Sequence, residues 1–202
     1  MLYRQMSLFP YSLLILVAMV SIALTYAFTV PDGPADTHFS YASFFGSSKD
    51  AKETARQAVL QWMKENSDMP DHVLANIYTA ASATSNRDLI LAICLVESNF
   101  NPHVESDKGA IGLMGIMPGV WLDELKEQGI VQEKDDLYKI SSNIAAGAHV
   151  LATYQAETND LRKALIRYVG GASWYATRVL QAQKKIKMAQ SPEQQLALAA
   201  HD

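Results

Sequence analysis

Glu97 is the residue on which chemistry can be built. It opens the run Glu97-Ser98-Asn99-Phe100-Asn101-Pro102, at the end of a segment in which Leu89, Ile93, Val96 and Phe100 recur at helical spacing. At about 100° per residue these four form one apolar stripe, and Glu97 falls roughly 80° from its centre. A carboxyl bordering Leu, Ile and Val loses hydration of its ionised form, so its pKa rises toward the range of a general acid. A glutamate at the exposed end of a helix would fit the same local sequence, so the neighbouring residues must decide. The chain has one cysteine, Cys94, and its five histidines (His38, His72, His103, His149 and His201) show no HxxxH spacing. Neither an internal disulfide nor a metal centre is expected.

After Phe100, glycine and proline crowd positions 101–119 and exclude a continuous helix, so a loop with at most a small β-hairpin is expected beside Glu97. That stretch reads Glu97-Ser98-x-Phe100-Asn101-Pro102, then Ser106, then Gly109-Ala110-x-Gly112-Leu113-Met114-x-Ile116-Met117-Pro118. It resembles, without a gap, the ESxFNPxAxSxxGAxGLMQIMP pattern of the SLT-type lytic transglycosylases, goose-lysozyme-like enzymes that cut bacterial peptidoglycan. Two further blocks agree. Asn143-Ile144-x-Ala146-Gly147-x-x-x-Leu151 looks like the family's NIxAGxxYL helix, and Arg167 to Gly171 occupies the place of its AYNAG segment. The likeness is strongest over 72–185.

The resemblance implies a mechanism that one carboxyl suffices to run. Glu97 would protonate the β-1,4 bond between N-acetylmuramic acid and N-acetylglucosamine, with the muramyl N-acetyl group stabilising the cation. Glu97 would then take the muramyl C6 hydroxyl proton as a 1,6-anhydro ring closes, with no water consumed and no metal or cofactor needed. Carried over position by position, Ser106 orients the N-acetyl group, Met114 and Met117 line the glycan groove, and Tyr168 brings its hydroxyl near Glu97. Ser98 and Asn143 support the site, Asn143 by fixing a helix start against the catalytic loop. Each has a plainer reading: turn residue for Ser106, core filler for the methionines, packed aromatic for Tyr168.

Two departures from the pattern bear on substrate contacts. Gly115 stands in the place of the family's glutamine, and Val169-Gly170 replaces Asn-Ala. If the groove is otherwise intact, Gly115→Gln restores a glycan contact; if Gly115 has positive φ, the same change strains the loop. Glu105, Asp107, Asp123 and Glu124 could supply the second carboxylate of a hydrolase. A muramidase of the same fold, and a non-catalytic glycan-binding or scaffold protein of an envelope-spanning machine, therefore stay open beside the lytic enzyme.

The elements that must position these residues are helical. Hydrophobic residues make up 49% of the 202 and no alternating strand series occurs, so the expected class is mainly α, a lysozyme-like domain over 51–188. Helices are expected from Asp50 to Lys64, from a start at Ser67-Asp68 with Pro70, over 88–99, 120–128, 142–157 with Ser141 or Ser142 at the cap, 160–168 capped by Gly170-Gly171, and 173–188. Residues 30–50 read as a linker and 189–202 as a polar tail. With 17 Lys+Arg against 21 Asp+Glu, the net charge of −4 gives no footprint for nucleic acid.

Tyr11 to Phe28 contains no charge, which over 1–29 leaves two readings: an uncleaved anchor in the cytoplasmic membrane, or a signal peptide removed near residue 27. Arg4 before the run and Asp32 and Asp36 after it orient the rest outward, in the periplasm or beyond it. The expected partners are peptidoglycan glycan strands and that membrane, with an envelope-spanning secretion, conjugation or pilus apparatus as a further candidate. A reporter that works only after export is expected to be active when fused after Asp202. Cytoplasmic activity refutes the topology, and a mature N-terminus at Phe28 decides for the signal peptide.

Overall fold

The computed structural model describes residues 48–191. The anchor or signal segment, nearly all of the linker and the tail from residue 192 lie outside the described residues. Among the described residues are seven α-helices and no strand. They are α1 (Ser48–Glu65), α2 (Asp71–Ser82), α3 (Arg87–Ser98), α4 (Pro118–Glu127), α5 (Ile140–Thr158), α6 (Leu161–Tyr168) and α7 (Ser173–Ala189), with a 3-10 turn at Lys134–Tyr138 before α5. None of the described helices is long and apolar enough to cross a membrane.

α3 is the axis of the domain. Leu89 through Cys94 are six consecutive buried residues, so this helix is covered all round and not along one stripe. α7 and α2 pack directly on it, α1 joins α2 and α7, and α5 with α6 forms the second layer. The helix begins where Asn86 accepts a hydrogen bond from the Leu89 amide at 3.3 Å, the expected N-cap device. It ends abruptly, because Asn99 (φ 49) and Phe100 (φ 63) are both left-handed. Such a conformation costs a non-glycine residue roughly 1–2 kcal/mol. Burial of Phe100, edge-on to Trp62 at 6.4 Å between ring centroids, offsets that cost. The chain therefore reverses two residues after Glu97.

The expected hairpin reduces to isolated bridges, Glu105 with Ile111 and Ile111 with Ile116. Ile111 and Ile116 exchange backbone hydrogen bonds of 2.8 and 2.9 Å around a turn from Gly112 to Gly115. That turn is tied to the helical layer by one side chain. Asn143, near the start of α5 and 1% exposed, accepts from the Met114 amide at 2.8 Å and donates to the carbonyls of Ile111 at 2.9 Å and Leu137 at 2.6 Å.

Three boundaries differ from the sequence reading. α2 is capped by Pro70, while the Ser67 hydroxyl donates instead to the Asn99 carbonyl at 2.8 Å, joining α2's entry to α3's exit. α4 starts at Pro118, whose fixed φ suits a first turn, and not at Val120. α5 starts at Ile140 with no side-chain cap, so neither Ser141 nor Ser142 fills that role. The 3-10 turn feeds straight into it, held by Asp136, which accepts from the Gln132 and Glu133 amides and from Lys139. The Lys139 ammonium and those two amides pull the Asp136 carboxyl down to about 2.

Asn143→Ala leaves the Met114 amide and the Leu137 carbonyl without the partner Asn143 supplies, while the Ile111 carbonyl keeps the Ile116 amide. At about 1–3 kcal/mol for each orphaned group, the loss of stability is expected to reach about 2 kcal/mol or more in denaturant unfolding. A loss below about 1 kcal/mol shows that the turn is held by other means.

Candidate active site

Glu97, in the last turn of α3, opens onto a groove whose other walls come from the 106–117 loop, α4, α5 and the end of α6. Ser106, Met117, Trp121, Tyr154 and Tyr168 line it with Glu97. The groove is bounded where it is because α6 ends in a glycine pair. Gly170 (φ +83) donates to the Arg167 carbonyl at 3.0 Å and Gly171 (φ +111) to the Ile166 carbonyl at 2.7 Å, closing the helix just past Tyr168.

Burial pushes the Glu97 carboxyl above the usual carboxylate range, and the Tyr175 hydroxyl draws it back in part. Tyr175, on α7, is 1% exposed, and its hydroxyl oxygen has no hydrogen bond of ordinary geometry although it faces Glu97. It is the one buried side-chain polar atom without a partner among the described residues. Its ring stacks on Tyr168 at 6.4 Å between centroids. Burial, then the nearby Glu97 charge, holds both phenols well above their ordinary pKa, so each stays a proton donor. An orphaned donor beside a carboxyl is placed to meet a negative charge formed there.

The other expected site residues divide into two groups. Ser106 is exposed on the groove, and its hydroxyl oxygen accepts from the Ala110 amide at 3.0 Å, which fixes the side chain and leaves its own proton free to donate. Met117 is half-buried on the wall. Met114, by contrast, does not line the groove. Its side chain is fully buried against Gly147 of α5, where even a Cβ would collide with it, and only its backbone serves the site. The Tyr168 hydroxyl donates to the Met114 carbonyl at 2.7 Å, so this phenol braces the loop while standing within electrostatic range of Glu97. Ser98 is buried, with its hydroxyl 2.8 Å from the Cys94 carbonyl and 3.0 Å from that of Leu113, a link between helix end and loop. Asn143 acts on the same loop from α5.

At Gly115 the structure takes the second of the two readings, positive φ. It has φ +61, and a Cβ built there would lie 2.8 Å from Oε2 of Glu97. The position is glycine because the carboxyl rests against it, so glutamine here strains the turn and displaces the acid instead of restoring a contact. Tyr175 was not singled out in the sequence. Its one signal is an aromatic residue entering α7 seven positions after Tyr168, which periodicity assigns to core packing.

A helical domain with one desolvated acid at the floor of a groove is the architecture of a glycan-cleaving enzyme, and comparison with known proteins gives the same class. Residues 74–191 match the family described as Transglycosylase SLT domain. The chain belongs to that family. Over 102 residues it is 35% identical to a protein of Enterobacteria phage PRD1 named "Transglycosylase". That alignment spans 48% of this chain and 36% of the phage protein, so the chain covers little more than a third of that relative's length. No solved structure matches the chain.

Gly115→Ala puts a methyl group against Oε2 of Glu97. Since misplacing a reacting group by about 1 Å can cost roughly a hundredfold in rate, kcat on glycan is expected to fall by about that factor. The left-handed backbone adds a stability loss of only about 1–2 kcal/mol. Activity within threefold of wild type overturns this placement of the acid.

Proposed function

We propose that this chain is a peptidoglycan lytic transglycosylase with Glu97 as its single acid and base. The observation that carries the reading is that Glu97 is the only carboxyl among the residues lining the groove. Glycosidases that work through two carboxyls hold them about 5–9.5 Å apart across the scissile bond. The four acids that could have played that part are engaged elsewhere or stand off the lining. Glu105 accepts from the Tyr138 hydroxyl at 2.6 Å and faces Lys134, and Glu124 meets His149 at 2.8 Å. Asp107 and Asp123 are exposed and not among the lining residues.

With no second carboxylate, the substrate must stabilise its own cation, and the N-acetyl group beside the scissile bond can do so. Glu97 starts neutral because its pocket disfavours the anion, and donates its proton to the leaving glycosidic oxygen. The carboxylate so formed is unstable in that setting, which makes it a competent base. The Tyr175 hydroxyl donates toward it while the C6 hydroxyl approaches. Taking that proton and closing the 1,6-anhydro ring returns Glu97 to its neutral state. Ser106 supports the acetamide through its free hydroxyl proton. The substrate places this work outside the cytoplasmic membrane, in line with the apolar segment at residues 11–28.

Glu97→Gln is expected to abolish cleavage of purified sacculi while binding persists, since an amide cannot donate an acidic proton. Wild-type products carry 1,6-anhydromuramic ends by mass spectrometry; reducing ends alone convert the reading to a hydrolase. Because the pKa of Glu97 is raised, wild-type activity holds above the normal carboxylate range and falls as pH rises through that raised value. The same shift has a stability sign. Ionising Glu97 in the folded state weakens the fold as pH rises, so Glu97→Gln melts higher than wild type at neutral pH, and the gap closes below about pH 4.

A further inference from the structure

Two tyrosines stand against Glu97, and only one of them has its hydroxyl committed. Tyr168 lines the groove, and its hydroxyl donates to the Met114 carbonyl at 2.7 Å, so its proton belongs to the loop. Tyr175 is stacked on it, with 10° between the ring planes and 6.4 Å between centroids, where α7 packs on α3. It is not among the residues lining the groove, and its buried hydroxyl has no partner of ordinary geometry. A bound glycan therefore meets Glu97 from the groove, and Tyr175 meets it from the interior.

A phenylalanine at 175 would fill the same space without burying an unpaired hydroxyl, so the oxygen is a cost to the resting fold. Its use lies in what happens beside it. A neutral carboxyl draws a donor weakly, whereas a carboxylate forms a charge-assisted bond about twice as strong.

The titratable and charged groups around Glu97 are few. Cys94, one turn earlier on α3, is a buried thiol that burial holds neutral. Both phenols keep their protons, and Lys108 and Arg167 are the charged side chains that share the groove lining. Of all these, Tyr175 alone joins burial in setting the proton affinity of Glu97.

We propose that Tyr175 is a positioning residue that acts through Glu97 from the protein interior, a donor left open while the acid is neutral and engaged when it ionises, with Tyr168 confined to bracing the loop. The inference rests on the acid and base role of Glu97 proposed above, and deepens it by giving the two stacked phenols separate work. Without the Tyr175 hydroxyl the anion is less stable, so Glu97 is a weaker acid and keeps its proton to higher pH. The hydroxyl thus offsets part of the burial penalty without admitting water to the acid.

The test compares three side chains at 175: phenylalanine, tyrosine, and a fluorinated tyrosine of nearly the same size whose phenol is a stronger donor. On soluble glycan strands, the basic limb of kcat/KM against pH reads the proton affinity of Glu97 in the free enzyme. Tyr175→Phe is expected to move that limb up by about one pH unit, a tenfold change in proton affinity and the order of one charge-assisted hydrogen bond, with KM nearly unchanged. Fluorotyrosine moves it down. Tyr168→Phe lowers the melting temperature and leaves the limb in place, and a packing defect at 175 gives no such order with donor strength.

The Glu97 carboxyl is titrated in parallel by carbon NMR on glutamate-labelled protein, with Glu97→Gln identifying its signal, and this needs no turnover. Midpoints in the order phenylalanine above tyrosine above fluorotyrosine support the assignment even if no strand is cleaved, in which case the lytic reading alone fails. Equal midpoints for the three side chains, or a midpoint that moves with Tyr168→Phe instead, overturn the assignment and leave the lytic reading standing.

Discussion

The site depends on the carboxamide of Asn143. Three backbone groups of the loop and the 3-10 turn converge on it, and no other side chain among those described makes as many buried hydrogen bonds. Its oxygen holds Met114, whose carbonyl in turn receives Tyr168, while its nitrogen holds the residue before Gly112. A Cβ on Gly112 would overlap the Asn143 side chain, so the clasp requires glycine there as well as asparagine on α5. Loosen this one amide and the turn that carries Gly115 against the acid loses its tie to α5, with Ser98 and Tyr168 left to hold it from α3 and α6. The groove's geometry is thus decided on its far side.

Burial and polarity are divided between two sets of elements. α3 brings a carboxyl to the end of a helix that is apolar from Leu89 to Val96, which supplies the desolvation. The loop and α6 supply polar groups already committed by a backbone hydrogen bond, Ser106 through Ala110 and Tyr168 through Met114, while Ser98 of α3 bonds to the backbone at Cys94 and Leu113. Because every one is anchored in this way, the groove needs little rearrangement to meet a substrate. Tyr175 is the exception, a donor held without a partner beside the Glu97 carboxyl.

How much of this could be read in advance follows from the range of each interaction. α3 was legible to within a residue, because the apolar spacing from Leu89 to Phe100 and the glycine and proline that crowd the stretch after it are local signals. The loop at 101–117 and the acid at its head were legible for the same reason. The start of α5 was not. Ser141 and Ser142 look like caps, but the helix is entered from a turn whose capping box uses two acids, Glu133 and Asp136, a pairing that local patterns do not advertise. Met114 was misplaced because a loop has no period to say which way a side chain faces; Gly147, on another helix, decides it. Gly115 was noticed as a departure from a pattern, yet its reason is a carboxyl that only the fold brings beside it. Tyr175 faces Glu97 across the α3–α7 contact, and no spacing within either segment records that meeting.

The abrupt end of α3 has one more consequence. Peptide dipoles align along a helix, leaving partial negative charge at its C-terminus, an effect of about 0.3–1 kcal/mol on a charge in the last turn. Glu97 sits in that last turn, and the left-handed pair Asn99-Phe100 stops the helix before another turn could carry the field past it. The backbone itself therefore opposes a carboxylate at this position. This contribution survives any replacement of the side chains around the acid, and it would vanish only if α3 were lengthened. The strained reversal after Ser98 thus holds the electrostatic end of the helix at the acid.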